Sequence, residues 1–318
     1  MSIIFKEKQE EKELLKPKVD VVFHALFREE NKKLTEGLIS DILGQNVKIK
    51  TSDLNRHLDI KVAQQKLGVM DLRTELEDGT KCNIEIQLDI QDYENERFLY
   101  YWADAYSRQL KRGEEYEQLH KTISIIILDH EIKELKGIDE LNLKWQIRDS
   151  KTGKRLLTDY LEIIIVEIPK AIRQYNSNKT NKVCQWMLFF DNPNIEELKD
   201  IMEKNENIKE AVEELTGMSK DEELRILAEL REKGRRDEYA RRQYIIKEGM
   251  KEGLQKGLQK GLQKGLQKGM QQGLQKGLQQ GEKNEKIKVA RKLLIKEMPI
   301  EDIIEITGLT KEEIKKLK

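Results

Sequence analysis

The sequence predicts an α/β fold built around a mixed sheet. Two observations support this prediction: apolar residues recur at helical spacing in some segments, and strand-like apolar runs occur in others. The helical segments run from Asp20 to Gly44 and from Arg97 to Tyr116. The strand-like segments are residues 69–76, 81–88, 122–128 and 161–168. Because helix, hairpin, helix and strand follow one another along the chain, the strands are expected to form a core with helices packed against them.

Composition limits the class of protein. The 318 residues allow for about two domains of roughly 150 residues each. Lys+Arg and Asp+Glu both number 59, so a global polyanion-binding character is excluded and any basic surface must be local. The chain lacks the ~20 consecutive apolar residues of a membrane span, and its N-terminus lacks the apolar region of a secretory signal. We therefore expect a cytoplasmic protein with no membrane association.

The sequence predicts four parts. They are an α/β domain at residues 1–190, a charged helical extension at 191–246, a low-complexity repeat at 247–283 and a small helical tail at 284–318. From Gly249 to Gly281 a glycine recurs at every fourth residue, usually followed by leucine. Four residues advance a helix by about 400°, so the Leu/Met stripe drifts about 40° per repeat. Interior glycines also weaken a helix. We interpret the repeat as a marginal helix or a flexible spacer, in preference to a tight coiled coil.

Residues 284–318 are predicted to form a small helix-turn-helix-like tail. Pro299 opens one helix, Gly308 ends it, and Thr310 with Glu313 forms a capping box that starts the next. The side chains expected to pack this tail are Leu294, Ile303, Ile306, Leu309, Ile314 and Leu317. The sequence does not distinguish two functions for the tail: protein contact, including homo-oligomerisation, and DNA binding. The segment before the repeat, residues 195–245, predicts a charged helical run.

Residues 68–88 predict a β-hairpin, because Asp78-Gly79 separates two alternating runs. A two-residue loop would pair Asp71 with Ile86, whereas a three-residue loop with a left-handed Gly79 would pair Asp71 with Glu85. The second register sorts the side chains by face, so we predict it. Its apolar face holds Met70, Leu72, Ile84 and Ile86. Its polar face holds Asp71, Arg73, Asn83, Glu85 and Gln87.

Two carboxylates directly opposed on one sheet face repel each other, at a cost of about a few tenths of a kcal/mol. A divalent cation would offset that repulsion, and carboxylate oxygens suit Mg²⁺ or Mn²⁺. Such an ion polarises a phosphodiester and lowers the pKa of a bound water. For Asp71 and Glu85 alone, an exposed polar strand face is the simpler interpretation.

A wider motif favours the metal site. Asp71 is followed, after a gap of 13 residues, by Glu85-Ile86-Gln87, which resembles the D…(D/E)-x-K core of PD-(D/E)XK nucleases. Further matching positions are Asp20 to Phe23, Leu26-Phe27, Leu58-Asp59, Arg73, Asn83, Arg97, Tyr100-Tyr101, Tyr106, Gln109-Leu110, Gly113, Tyr116, Leu119 and Ile123 to Leu128. Together they resemble the recombination-promoting nuclease/putative transposase branch, over roughly residues 16–190, with a similar tail at Ile306 to Ile314.

This resemblance implies a restriction-endonuclease-like core and a metal-dependent DNA endonuclease with a role in recombination, mobile elements or defence. The implied cofactor is Mg²⁺, or Mn²⁺ or Ca²⁺, held by Asp71, Glu85 and the backbone carbonyl of Ile86. The implied partner is DNA. A catalytically inactive DNA-binding or oligomerising protein with the same fold is the alternative.

Gln87 departs from the superfamily pattern, in which this position is usually lysine. A glutamine can orient the attacking water or a phosphate, but it cannot be a charged acid or base. Arg73 or Lys81 could supply the missing charge. Asp20 resembles an extra acidic catalytic position of such nucleases, and a helix N-cap is an equally open interpretation.

The candidate DNA contacts are basic residues around this core: Arg73, Lys81, Arg97, Arg108, Lys111 and Arg112. For Arg97 and Tyr101, packing against the core competes with DNA contact. A second basic cluster runs from Arg231 to Arg242, and the repeat from Gly253 to Gly281 carries five lysines and no acidic residue. Phosphate-binding surfaces need such local positive charge. The two cysteines and four histidines have no metal-site spacing, so we assign them no site.

Overall fold

The computed structural model describes residues 13–53, 71–90 and 93–317. The motif positions Leu58-Asp59, the residue Met70 and the side chain of Asp71 lie outside these described residues. The chain forms two compact units, Met1–Asp237 and Glu238–Lys318. This division does not test the four-part boundaries, which stay a prediction.

The described residues form a six-stranded mixed sheet in the order β1-β2-β3-β4-β6-β5. The strands are β1 (Ile49–Asp53), β2 (Asp71–Leu76), β3 (Lys81–Gln87), β4 (Thr122–Leu128), β5 (Asn142–Trp145) and β6 (Leu161–Glu167). The pairs β3–β4 and β4–β6 are parallel, and the remaining neighbours are antiparallel. The predicted α/β fold with a mixed sheet is therefore confirmed.

Helices cover both faces of this sheet and continue beyond it. They are α1 (Asp20–Leu26), α2 (Lys32–Leu43), α3 (Glu94–Ser107), α4 (Ile168–Tyr175), α5 (Lys182–Asp191), α6 (Glu197–Met202), α7 (Glu206–Met218), α8 (Glu222–Ile295), α9 (Ile300–Thr307) and α10 (Lys311–Lys315). Short 3₁₀ turns occupy Glu29–Asn31, Tyr116–Gln118 and Lys133–Leu135. No helix in these described segments is long and apolar enough to cross a membrane.

Alternation along the strands gives the sheet two buried faces. One face, with Leu72, Ile84 and Ile86, joins the larger core, to which α1, α2, α5 and α7 also contribute. Aromatic side chains fill the helical side of that core: Phe23, Phe27, Trp186, Phe189 and Phe190. Each of these buried rings stabilises the fold by about 1.5–3 kcal/mol. On the other face Ile126 and Ile165 pack beneath Phe98 and Trp102 of α3.

The repeat is helical throughout, because α8 contains all of it. Its Leu and Met side chains, from Met250 to Leu278, are 60–81 % exposed. The structure therefore has the repeat as helix, and the predicted marginal stability of that helix stays a prediction. The drift of the apolar stripe explains the exposure, since a stripe that moves around the helix cannot face one partner along its length.

The tail has the predicted helices but not the whole predicted core. Gly308 caps α9 in the left-handed conformation, and Thr310 and Glu313 form the predicted capping box. Ile303, Leu309 and Ile314 are buried together. Ile306 was expected to join them and is 57 % exposed. The inner face of α9 is instead shared by Ile303 and Thr307, one turn apart, and Ile306 lies outside that face.

The turn between β2 and β3 has three residues, as predicted. The Leu76 N–H donates to Thr80 O at 2.8 Å, and the Gly79 N–H donates back to Leu76 O at 3.0 Å. Gly79 has φ +87°, and the Asp78 carboxylate accepts the Thr80 N–H at 2.9 Å. A left-handed residue at the third loop position is typical of a type I turn with a bulge.

We predict that Gly79→Ala destabilises the first unit by about 1–2 kcal/mol, because alanine is strained at this φ while the exposed His120 ring can turn away from the added methyl group. A Cβ at this position would lie 2.7 Å from the His120 ring. Gly113→Ala is the matched control, since Gly113 has φ +93° and nothing within 4 Å of its Cβ position. Strain alone should lower its stability by about 1 kcal/mol.

Urea unfolding followed by tryptophan fluorescence measures both effects. The three tryptophans, Trp102, Trp145 and Trp186, all lie in the first unit, so the signal excludes the tail. Unchanged stability of Gly79→Ala would contradict the left-handed conformation of Gly79 in the turn.

Candidate active site

The hairpin brings two carboxylate residues opposite each other. Asp71 pairs with Glu85, and Arg73 pairs with Asn83, in the antiparallel β2–β3 ladder. This is the predicted register, and it places Asp71, Glu85 and Gln87 on one face of the sheet. Residues directly opposite on such a ladder have Cβ atoms about 4.5–5.5 Å apart. A single cation can therefore reach both positions.

Glu85 lies deep in the sheet. It is 2 % exposed and sits beside Ile126 of β4, on the face covered by α3. Asn83 and Gln87, two residues away on either side, are buried as well. At Asn83, Glu85 and Gln87 the predicted polar face is therefore an interior surface, which explains why these side chains need defined partners. Ile86 points into the core on the opposite face, so its backbone alone is available for a ligand.

The donor set fits a hard divalent cation. Carboxylate oxygens and a carboxamide oxygen are ligands that Mg²⁺ and Mn²⁺ prefer. The Oε1 atom of Gln87 is buried and has no hydrogen-bond partner among the described residues. No group of three or more His, Cys, Asp or Glu side chains able to hold a metal occurs in residues 13–53, 71–90 and 93–317, the Asp71 side chain excepted. A site here would therefore combine Glu85 with Asp71 and neutral oxygens.

Gln87 is tied to two residues that the sequence did not single out. Its Nε2 donates to Glu94 Oε1 at 2.9 Å and to the Asp89 carbonyl at 3.3 Å. The His130 Nε2 lies 2.9 Å from the same Glu94 oxygen. Glu94 opens α3 and His130 follows β4, so the cluster closes the carboxyl ends of two parallel strands. These residues are 36 positions apart, and no local spacing marks them as neighbours.

Lys18 anchors the first helix to this end of the sheet. Its Nζ lies 2.8 Å from Asp129 Oδ1 and 2.8 Å from Asp191 Oδ1. Burial lowers the pKa of Lys18, but the hydrogen bonds to these two carboxylates outweigh burial and raise it. The Asp129 N–H in turn donates to the Gln87 carbonyl at 2.9 Å. Asp129, the residue after β4, therefore helps to hold the N-terminal segment in place.

Asp20, two residues after Lys18, lies at the same end of the sheet. It is not the helix N-cap, since Val19 takes that position, so the capping interpretation is wrong. The Asp20 Oδ2 lies 3.1 Å from Arg231 Nε, at the start of α8. Arg235, one turn further, lies 3.6 Å from Asp89 Oδ1. The basic cluster predicted at residues 231–242 thus begins beside the candidate site.

The remaining candidate DNA contacts begin with two residues of the β2–β3 hairpin. The Lys81 Nζ lies 2.6 Å from Glu75 Oε2. Hydrogen bonds from Lys81 and Lys50 lower the pKa of the Glu75 carboxyl to about 2. Lys81 is therefore committed elsewhere and is poorly placed to replace the superfamily lysine. Arg73 is half-buried opposite Asn83.

The other arginine and lysine candidates lie on α3 and after it. Arg97 donates to the Tyr101 hydroxyl at 3.1 Å and lies over the Tyr101 ring, a contact between two residues of α3. Arg108 pairs with Asp104 at 2.8 Å. Lys111 and Arg112 are exposed in the loop that follows. The six predicted DNA contacts thus lie on the β2–β3 hairpin, on α3 and just after α3, and a shared DNA surface stays a prediction.

Comparison with known proteins gives one match. A family model described as "PD-(D/E)XK nuclease family transposase" matches residues 17–244, more than two thirds of the chain. No curated protein and no solved structure matches the chain significantly. The matched range contains the sheet, the Asp71–Glu85 pair and the first part of α8.

We predict that neither cysteine reacts with thiol reagents in the folded protein. Burial raises the pKa of Cys82 to about 12 and that of Cys184 to about 11, so at pH 8 both are protonated thiols. Ellman's reagent should label neither thiol in native protein and both after denaturation in guanidinium. Rapid labelling of Cys82, which lies beside Asn83, would contradict the buried packing of β3.

Proposed function

Because the chain belongs to the PD-(D/E)XK nuclease family transposases, we propose that it is a divalent-metal-dependent DNA endonuclease. The observation that carries this proposal is the pairing of Asp71 with the buried Glu85 across the hairpin. A glutamate buried in a sheet face costs more than an apolar side chain of similar size, and its backbone partner across the hairpin is a second acidic residue. A bound cation gives the pair a reason to be retained.

In this proposal each polar residue has one role. Asp71 and Glu85 hold Mg²⁺ or Mn²⁺, with the Ile86 carbonyl as a further oxygen ligand. When bound, the cation would polarise the phosphodiester and lower the pKa of a water at the site. Gln87 accepts a hydrogen bond from the attacking water and so directs its lone pair toward phosphorus. Asp20 adds a carboxylate at the same end of the sheet when its ion pair with Arg231 opens.

The proposed reaction is hydrolysis. The water oxygen forms a bond to phosphorus, and the bond from phosphorus to the leaving sugar oxygen breaks. One water proton passes to solvent, and the leaving oxygen takes a proton from solvent. Gln87 remains neutral throughout, because a carboxamide can accept a hydrogen bond but cannot hold the proton at neutral pH.

We propose that Lys111 and Arg112 contribute to the DNA surface. Both are exposed, and neither forms an ion pair with a described residue. They follow the 14-residue α3, whose first residue, Glu94, lies in the Gln87 cluster. That helix is about 21 Å long, so contacts at its far end would engage phosphates about half a dozen base pairs from the cut.

The wider proposal is a role in recombination, mobile-element biology or defence. Homo-oligomerisation through the repeat or the tail is part of this proposal. Cytoplasmic location stays a prediction.

We predict that the purified full-length protein nicks supercoiled plasmid in Mg²⁺ or Mn²⁺ but not in EDTA. Asp71→Asn and Glu85→Gln should each reduce the rate by on the order of 10²-fold or more, because each removes one charged oxygen ligand while keeping the side-chain shape. Agarose gel electrophoresis over a time course measures the rates.

Glu77→Gln is the matched control, because Glu77 is an exposed carboxylate in the turn of the same hairpin. It should cut at the wild-type rate. Cleavage that survives both Asp71→Asn and Glu85→Gln would reject the site. Wild-type protein that retards DNA on a gel but cuts it in no metal would reject the enzyme in favour of a DNA-binding protein.

A further inference from the structure

Gln87, Glu94 and His130 form a buried hydrogen-bonded cluster beside the proposed metal ligands. Gln87 is 1 % exposed, and the side chains of Glu94 and His130 are about nine-tenths buried. Gln87 comes from the end of β3, Glu94 from the first turn of α3, and His130 from the segment after β4. Three separate elements therefore meet in one cluster, with Glu94 between the Gln87 carboxamide and the His130 ring.

The contacts of Gln87 fix which way its carboxamide points. Its Nε2 faces two acceptors, the Glu94 carboxylate and the Asp89 carbonyl. A flipped amide would place Oε1 against the same two acceptors, which is electrostatically unfavourable. Oε1 therefore points away from Glu94, and it has no hydrogen-bond partner among the described residues. A buried acceptor left open in this way is suited to a water or ligand that arrives from outside.

Glu94 is itself held in place. The His130 Nε2 lies within 3.1 Å of both of its carboxylate oxygens. The segment that carries His130 is fixed on both sides: the Asp129 N–H donates to the Gln87 carbonyl, and the Ile132 N–H donates to Glu167 Oε1. Tyr93, just before Glu94, has φ +60°, a strained conformation for a non-glycine residue. Its ring is exposed, so packing of that ring does not account for the strain.

We propose that Glu94, supported by His130, is a positioning residue that acts through Gln87. It binds the amide nitrogen and so presents the amide oxygen to the attacking water. This inference rests on the proposed nuclease function and deepens it. It explains how a glutamine can occupy the position at which the superfamily has lysine: the chain adds an acceptor, Glu94, that gives the carboxamide a single orientation.

A double-mutant cycle tests this role. In the full-length protein, Gln87→Met and Glu94→Ala should each lower kcat for plasmid nicking by roughly 10–100-fold. If Glu94 acts through Gln87, the double variant should be at most about twofold slower than Gln87→Met. KM for plasmid should change by no more than about twofold, since neither residue is assigned to DNA binding.

Two further variants grade the effect. Glu94→Gln retains an oxygen acceptor and should recover part of the activity. The kcat of His130→Ala should lie between those of Glu94→Ala and wild type.

Asp104→Ala is the matched control, because Asp104 lies on the same helix and pairs with Arg108 at the surface. It should match wild type in kcat, since Asp104 contacts neither the cluster nor the proposed metal ligands in the part of the chain that the structure describes. Thermal unfolding of each variant separates loss of positioning from loss of folding.

A second readout needs neither metal nor DNA. In ¹⁵N-glutamine-labelled protein, the Gln87 side-chain amide should give a resonance that is missing from Gln87→Met and exchanges slowly with solvent. Glu94→Ala should accelerate that exchange at least tenfold, whereas Asp104→Ala should leave it unchanged. Unchanged exchange in Glu94→Ala, or multiplicative rate losses in the cycle, would overturn the positioning role. Inactive wild-type protein in every metal would instead reject the nuclease function, and this role with it.

Discussion

The site depends on the register of one hairpin, and the three-residue turn ending at Gly79 sets that register. Asp71 then lies opposite Glu85, while Leu72 and Ile84 pair on the core face. A slip of one residue would bring Ile86 opposite Asp71 and turn apolar side chains into the polar face. The geometry of the turn, the packing of the core and the proposed metal site therefore all depend on the same hairpin register. A change that relaxes the turn should disturb all three together.

Elements distant in sequence converge on the carboxyl end of β3. Lys18 ties the first helix to Asp129, and Asp129 is hydrogen-bonded to Gln87. Arg231 from α8 reaches Asp20. These contacts join both ends of the first unit around the candidate site, and most of their charges are paired within the protein. A buried polar site that is supported in this way keeps its geometry without a ligand, which lowers the reorganisation needed when substrate binds.

Local patterns predicted much of this structure. The strands 71–76, 81–87, 122–128 and 161–167 lie within two residues of their predicted ends, because alternation and apolar runs report burial directly. β1 and β5 were missed, since short edge strands bury little and β5 is largely exposed. α5 was missed because its run of Trp, Met, Leu and Phe is apolar on every face and has no helical period. The Glu94–His130 contact joins distant positions, so periodicity could not reveal it.

The central claim is that Asp71 and Glu85 together bind a divalent cation, and direct metal binding tests it without DNA or turnover. Isothermal titration of the full-length protein with Mn²⁺ should show one site per chain. The heat should disappear in Glu85→Gln and in Asp71→Asn but persist in Glu77→Gln. Wild-type protein that binds no Mn²⁺, or a Glu85→Gln variant that binds it with unchanged affinity, would contradict the account.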